Sequence, residues 1–302
     1  MPGTYHDPVL LQESVDALSI VADGTYVDAT FGGGGHSKEI LKRLGAKGRL
    51  IAFDRDDDAI QNKPDDERLV LVNHNFKYMK KFLRYHDAIP VDGIIADLGI
   101  SSHQINEPAR GFSTRFEAAL DMRMNRETSL TAAEVVNTYD AAGLTRIFSS
   151  YGEIRNSRTL TETIVTARKK SAIETIDQLK SAIASCTDRG FENQYYAKVF
   201  QAIRIEVNDE LGALKELLLQ SPHLVRKGGR LVFIAYHSLE DRLIKNFVAK
   251  GKFEGELEKD LFGNTEGVPF HAVNKKPMEA TEAEIAANPR ARSAKLRIAE
   301  RN

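Results

Sequence analysis

One stretch limits what this chain can become: Tyr26-Val27-Asp28-Ala29-Thr30-Phe31-Gly32-Gly33-Gly34-Gly35-His36-Ser37. It reads as a short buried strand, a tight glycine turn, and the start of a helix continuing through Lys38-Glu39-Ile40-Leu41. Glycine accepts positive φ and lets a ligand approach the main chain closely. The first turn of the helix leaves N–H groups without intrahelical partners. Strand, glycine loop and helix in that order form the ligand-holding corner of a doubly wound α/β sheet.

The loop does not carry the dinucleotide spacing Gly-x-Gly-x-x-Gly. A start at Gly32 ends on Ser37, and a start at Gly33 ends on Lys38. What it does carry is an acid, Asp28, followed by Gly32 and Gly34 in alternation, as in S-adenosylmethionine loops, with Thr30 where many have another glycine. The physical distinction is one of charge. Pyrophosphate seeks a helix N-terminus, whereas adenosylmethionine has no phosphate and presents an ammonium and a sulfonium, which suit a carboxylate. The competing reading of these residues alone is an ordinary glycine-rich β–α turn.

A second acid favours the ligand reading. Arg49-Leu50-Ile51-Ala52-Phe53-Asp54 is a buried strand ending in a carboxylate. An acid about 20 residues beyond the loop, at the tip of the second strand, accepts both hydroxyls of a ribose. Asp54 is therefore the expected ribose ligand, and Asp56, Asp57 and Asp58 the start of the next helix, where carboxylates complement the dipole.

Further along, Leu69–Asn73 reads as a third strand, 79–85 as a helix, and Val91–Asp97 as a fourth strand, again closing on an acid. Phe76 follows the third strand, either beside an adenine or in the core. Acids at successive strand ends predict a parallel sheet with ligands along that edge. The segment 98–113 is polar and aperiodic, and a loop of that length inside a compact enzyme is usually functional. From Thr131 to Ala184 the pattern is helical throughout. The expected organisation is a Rossmann-like sheet domain from 1–104 and 200–302, with a mostly helical insertion over 105–199. Residues 227–235 form a fifth strand ending in Tyr236-His237-Ser238-Leu239-Glu240-Asp241-Arg242. The alternating tail 290–299 predicts a terminal edge strand, and 250–266 a mobile loop.

Composition narrows the class. The 302 residues are 42% hydrophobic and 28% charged, as in soluble globular proteins. A single cysteine, Cys186, excludes an internal disulfide and a cysteine metal cage, and fits a reducing cytoplasm. No apolar run of about 18 residues predicts a membrane span, and no histidine–carboxylate spacing predicts a metal site. A net charge of −1 argues against indiscriminate polyanion binding but leaves room for a local basic face.

These segments resemble the ribosomal small-subunit methyltransferase H (MraW) family nearly end to end. The matching blocks are His6-Asp7-Pro8-Val9-Leu10-Leu11, Thr30 to Ser37, Asp54-Arg55-Asp56, Asp97-Leu98-Gly99-Ile100-Ser101-Ser102, Arg110-Gly111-Phe112-Ser113, Leu120-Asp121-Met122-Arg123-Met124, Tyr151-Gly152-Glu153, Phe200-Gln201-Ala202-Ile203-Arg204-Ile205, His237 to Arg242 and Asn288-Pro289-Arg290-Ala291-Arg292-Ser293. The resemblance implies a class I methyltransferase fold, S-adenosylmethionine as donor, and N4 of a 16S rRNA cytidine at the decoding centre as target. It implies that Gly34, Gly35, His36, Asp54, Phe76, Asp97 and Gln104 line the donor pocket. Lys198 departs from the arginine expected there, and lysine cannot make arginine's planar fork to phosphate.

The chemistry gives further expectations. The cytosine amine is a poor nucleophile because its lone pair is delocalised, so acceptors aimed at its N–H groups and a nearby base assist transfer. The Pro-Pro-aromatic motif of many amino-methyltransferases is absent. Asp97 is expected to orient donor or amine, Ser101 or Ser102 to supply an acceptor, and His237 either to assist or merely to bond loop backbone. The His36 ring is expected to cap its helix. RNA contact is expected from Arg110, Arg123, Arg155, Arg204, Arg290 and Arg292, with Arg115, Arg126, Arg158, Arg168, Lys169 and Lys170 as further candidates. Phe112, Tyr151 and Tyr195 are candidate stacking partners. The resemblance implies 16S rRNA in the small subunit or a late assembly intermediate as the substrate, and a homodimer is compatible. Competing readings are a methyltransferase for a small amine or protein, and a non-catalytic ribosome assembly factor.

Overall fold

The computed structural model describes residues 8–255 and 267–302. His6 and Asp7 of the first family block lie outside the described residues, as does 256–266 of the expected mobile loop. Lys250 itself closes the helix Ser238–Lys250.

Seven strands form one sheet: Thr25–Asp28 (β1), Arg49–Asp54 (β2), Leu69–Asn73 (β3), Val91–Asp97 (β4), Val225–Ala235 (β5), Phe270–Ala272 (β6) and Lys295–Arg301 (β7). Their order is β3-β2-β1-β4-β5-β7-β6. Strands β1 to β5 pair in parallel, and β7 runs antiparallel to both neighbours. This is the mainly parallel, Rossmann-like sheet that the sequence predicts. The winding reverses between β1 and β4, and the crevice at such a reversal is where α/β sheets hold ligands.

Apolar runs on β1, β2, β4 and β5 follow from a sheet covered on both faces. Alternation sends Val27, Ile51, Ile94 and Phe233 into one core layer, with Leu217 and Phe247. Tyr26, Leu50, Ile95 and Ile234 enter the other, with Val15, Ile40 and Leu296. The same alternation puts Asp28, Asp54, Asp97 and Tyr236 on this second face, each at or just past a strand's carboxyl end.

The chain divides into two compact units, Ile100–Glu210 and the remainder. The inserted unit has its own core, including Leu120, Val135, Phe148, Leu160, Leu179, Val199 and Ile203. Its main helices are Ala132–Thr138, Ala141–Ser150, Ser157–Arg168, Ile176–Ile183 and Glu192–Asn208. Capping boxes Thr131/Glu134 and Thr175/Gln178 start two of them. Its ends fall at 100 and 210 rather than 105 and 199, because Val199, Phe200 and Ile203 of the long final helix belong to this core.

Two expectations are corrected. The terminal strand is internal, since β6 pairs with its far side. The sequence hid β6 because three residues are too few to display alternation. The segment 98–113 also contains a short helix, Ser102–Asn106, and a 3-10 turn, Pro108–Arg110. Among the described residues no helix is long and apolar enough to cross a membrane.

Candidate functional site

The glycine loop is open on one side. Gly32 has φ of 52°, and a Cβ added there would meet nothing within 4 Å. Gly34 has φ of 74° and serves as N-cap of the helix Gly35–Arg43 without any capping side chain. A Cβ on Gly35 would strike Pro8 at 2.0 Å. The glycines thus provide left-handed backbone at two positions and close packing at a third.

Asp28 braces this loop from within. Its Oδ1 accepts from Thr30 N at 3.0 Å and its Oδ2 from Ser37 Oγ at 2.7 Å. With only 1% of its surface exposed, Asp28, expected to face the donor's cation, ties strand to helix. Burial raises its carboxyl to about 6, against the pull of those two bonds.

Asp54 stands at the tip of β2, half-buried. Its Oδ2 accepts from Gly32 N at 2.7 Å and its Oδ1 from Asp56 N at 2.9 Å. Each oxygen keeps a further lone pair for an incoming hydroxyl. Desolvation raises it to about 6, opposed by the same two amides. Asp56 caps the short helix Asp57–Ile60 by accepting from Asp58 N. Phe76 opens the 3-10 turn Phe76–Tyr78 just beyond β3, partly buried against the core.

At the tip of β4, Asp97 is held at two points. Its backbone N donates to Thr30 Oγ1 at 2.7 Å, and its Oδ1 accepts from Tyr236 Oη at 2.8 Å. Its Oδ2 lies 4.0 Å from His36 Nδ1, with the Asp97 side chain 25% exposed. Burial, with Asp28 and Glu240 adding like charge, raises this carboxyl to about 7, although the Tyr236 bond favours its ionised form. Burial also holds His36 down to about 4, so the ring is neutral at physiological pH and its approach to Asp97 is not an ion pair. Gly34, not the His36 ring, occupies the cap, and His36 Nε2 is buried with no hydrogen-bond partner.

Two expected catalytic side chains serve as helix caps. His237 is N-cap of Ser238–Lys250, its Nδ1 accepting from Glu240 N at 3.4 Å. Glu240 reciprocates, its Oε2 accepting from His237 N at 3.4 Å and from Tyr236 N at 2.9 Å. His237 Nε2 lies 3.2 Å from Glu240 Oε1 but makes no well-directed hydrogen bond. The backbone reading of His237 is the one the geometry favours. Ser101 caps Ser102–Asn106 in a box with Gln104: Ser101 Oγ accepts from Gln104 N at 3.2 Å, and Gln104 Oε1 from Ser101 N at 3.0 Å. Gln104 is buried by this arrangement, and Ser102, the first helical residue, is half-buried.

The expected RNA contacts separate into bound and available cations. Arg110 is 2% exposed and donates to the carbonyls of Arg123 and Met124 at 3.1 and 3.0 Å. Arg123 forks onto Asp121 at 2.8 and 2.7 Å, and Arg204 onto Glu210 at 2.8 and 2.9 Å. Phe112 is buried. Arg110 and Phe112 are thus shut off from a surface contact, while Arg123 and Arg204 are partly buried and engaged by carboxylates of the inserted unit. Tyr151 and Tyr195 bond Arg146 and Asn156. Arg155 and Arg158, flanking the start of Ser157–Arg168, are exposed, as is Arg292, while Arg290 is half-buried.

Sequence reasoning missed Tyr236, Thr30 and Glu240 as parts of the site. A signal for Tyr236 existed. Asp97 pairs with Ile234 in register, so the residue two beyond Ile234 shares the face of Asp97.

The MraW methylase family model matches residues 3–302. A "Ribosomal RNA small subunit methyltransferase H" of Bacteroides thetaiotaomicron is 55% identical over 298 residues, 99% of this chain and 98% of the relative. A protein of the same name from Christiangramia forsetii is 54% identical over 295 residues, 98% of this chain and 97% of its own. Among solved structures, an rRNA methylase from Streptococcus thermophilus aligns at a TM-score of 0.42 and 12% identity, covering 96% of this chain and 94% of that one. With a family model running almost from end to end and relatives matched over their whole length, the chain belongs to the MraW methylase family.

Proposed function

We propose that this protein is an S-adenosylmethionine-dependent rRNA methyltransferase acting on the N4 amine of a cytidine in 16S rRNA of the small ribosomal subunit. The observation that carries the reading is the open Gly32 turn bracketed by the carboxylates of Asp54 and Asp97 on one sheet face. Anionic strand tips suit a sulfonium donor and repel a pyrophosphate. The names of the full-length relatives support rRNA as the substrate.

When bound, S-adenosylmethionine supplies an electrophilic methyl group, which passes to N4 while the S–C electron pair stays on sulfur. The chain's part is positioning and proton transfer. Asp54 accepts from the ribose hydroxyls, and its existing bond to Gly32 N keeps the loop open around them. Tyr236 fixes one oxygen of Asp97, leaving the other to accept an N–H of the amine and then the proton that N4 releases. A carboxyl near 7 is matched to that task at physiological pH. Positioning by Asp54 and Asp97 would contribute the larger part of the acceleration. Arg155, Arg158 and Arg292 provide phosphate contacts.

The test is transfer of a labelled methyl group to purified small subunits lacking the modification, with nuclease mapping and identification of the product nucleoside. N4-methylcytidine at one position is the expected product. Label in another nucleoside or only in protein overturns the assignment.

A further inference from the structure

We propose that the exposed face of residues 74–86 is an RNA-docking surface separate from the inserted unit, gripping an extended rRNA strand through Lys81 and Arg84 and stacking a base on Tyr85. The inference rests on rRNA being the substrate and adds where it is held.

From His74 to His86 the chain carries Lys77, Lys80, Lys81 and Arg84 and not one Asp or Glu, within a protein of net charge −1. The segment comprises the 3-10 turn Phe76–Tyr78 and the helix Met79–Tyr85. Met79 and Leu83 are fully buried and anchor it to the core. Lys81, Arg84 and Tyr85 point outward, and Tyr85 is 80% exposed, with Tyr78 at 46%. Lys80, Lys81 and Arg84 make no ion pair among the described residues. Lys80 with Arg84 places like charges four apart on the helix, which destabilises it, and Lys77 and Lys81 add to the same charge. An ordinary solvated face alternates signs instead. A polyanion across the stripe relieves that repulsion.

The mounting is stiff. Gln220 Nε2 donates to Lys77 O at 2.7 Å, and its Oε1 accepts from Lys80 N at 2.9 Å. At the other end Arg49 donates to the carbonyls of His86 and Asp87 at 2.7 and 3.2 Å. Both ends of the segment are thus tied to other elements, so ordering the surface on binding is inexpensive. Rings sit among the cations: His74 meets Tyr78 edge-on at 4.9 Å, and Lys77 Nζ lies 5.4 Å over the Tyr78 ring. Cations interleaved with exposed aromatics suit single-stranded nucleic acid, which offers a phosphate and a π-face at every nucleotide. The segment begins just past the carboxyl end of β3, the outermost strand on its side of the sheet, and its last turn reaches back to Arg49 at the amino end of β2. The contrast with Arg110, Arg123 and Arg204 is direct, since those guanidiniums are committed to internal partners.

The experiment measures methyl transfer and filter binding with 16S rRNA as probe, using full-length wild type, Lys81→Glu/Arg84→Glu, Lys81→Gln/Arg84→Gln and Tyr85→Ala. Thermal melts verify folding, and the Gln pair stands in if charge reversal unfolds the protein. Removing the two cations should raise the RNA KM at least tenfold and leave the donor KM and saturated kcat unchanged. The slope of log affinity against log salt should become shallower by roughly 1.4, at about 0.7 per single-strand phosphate. Tyr85→Ala should weaken binding about tenfold with no change in that slope. RNA affinity and salt slope equal to wild type in the folded variants overturn this surface alone. A wild-type protein with no affinity for rRNA overturns the substrate assignment, and the surface with it.

Discussion

Tyr236 donates its hydroxyl hydrogen to Oδ1 of Asp97 at 2.8 Å, joining the end of β5 to the end of β4. The bond makes the two oxygens of Asp97 unequal. One accepts from the Tyr236 hydroxyl, and the other faces His36 at 4.0 Å. It also favours the carboxylate over the acid in surroundings, Asp28 and Glu240 among them, that push the other way.

Tyr236→Phe should therefore shift the pH profile of methyl transfer rather than abolish it. Asp97 must be ionised to accept a proton, so the rate rises with pH through its value of about 7. Losing a hydrogen bond to a charged group moves that value up by about one unit. Single-turnover rates of the variant should lie about tenfold below wild type at pH 6 and converge above pH 9. A uniform loss at every pH would assign Tyr236 a structural role only.

Asp28→Asn should stabilise the unliganded protein at neutral pH. The carboxyl is raised from 3.8 to about 6, so the folded state binds its proton more tightly than the unfolded chain. Stability is then lost as pH rises from about 4 to about 6, and the ionised group is a burden above that window. After allowing for the weakened tie to Ser37, the gain is of order 1 kcal/mol at pH 7.5. Thermal unfolding at pH 7.5 and 4.5 checks this, with the gain confined to the higher pH.

The arginines of the inserted unit should divide by readout. Arg110→Ala removes the donor from two carbonyls and should cost about 3 kcal/mol in chemical denaturation. Arg155→Ala/Arg158→Ala should leave stability within about 0.5 kcal/mol and weaken rRNA binding with a shallower salt slope. Equal stability losses in both variants would contradict the division.

How much of this was legible in the sequence differs by element. The strands ending in Asp28, Asp54 and Asp97 were readable because buried parallel strands are unbroken apolar runs closed by an acid. The helices of 131–184 were readable by period, while the capping boxes of Thr131 and Thr175 emerged with the structure. What sequence could not supply was the partner of each polar group. Arg110 and Arg155 look alike as letters, yet one satisfies backbone carbonyls in a core and the other meets solvent. Asp28 and Asp54 are both strand-tip acids, but Ser37, nine residues on, draws only the first inward. His237 reads as a histidine that bonds loop backbone more readily than as a catalytic one, and Glu240 three residues later completes a capping box with it. Tyr236 took on meaning only through the β4–β5 register.

Everything above depends on the strand tips accepting a sulfonium donor. The most direct measurement is isothermal titration of the purified protein with S-adenosylmethionine and its demethylated product, with NAD as control, repeated on Asp54→Ala. Saturable heat with both sulfur compounds, at least tenfold weaker in Asp54→Ala, and none with NAD is the expected result. Saturable heat with NAD and none with S-adenosylmethionine or its product would contradict the account.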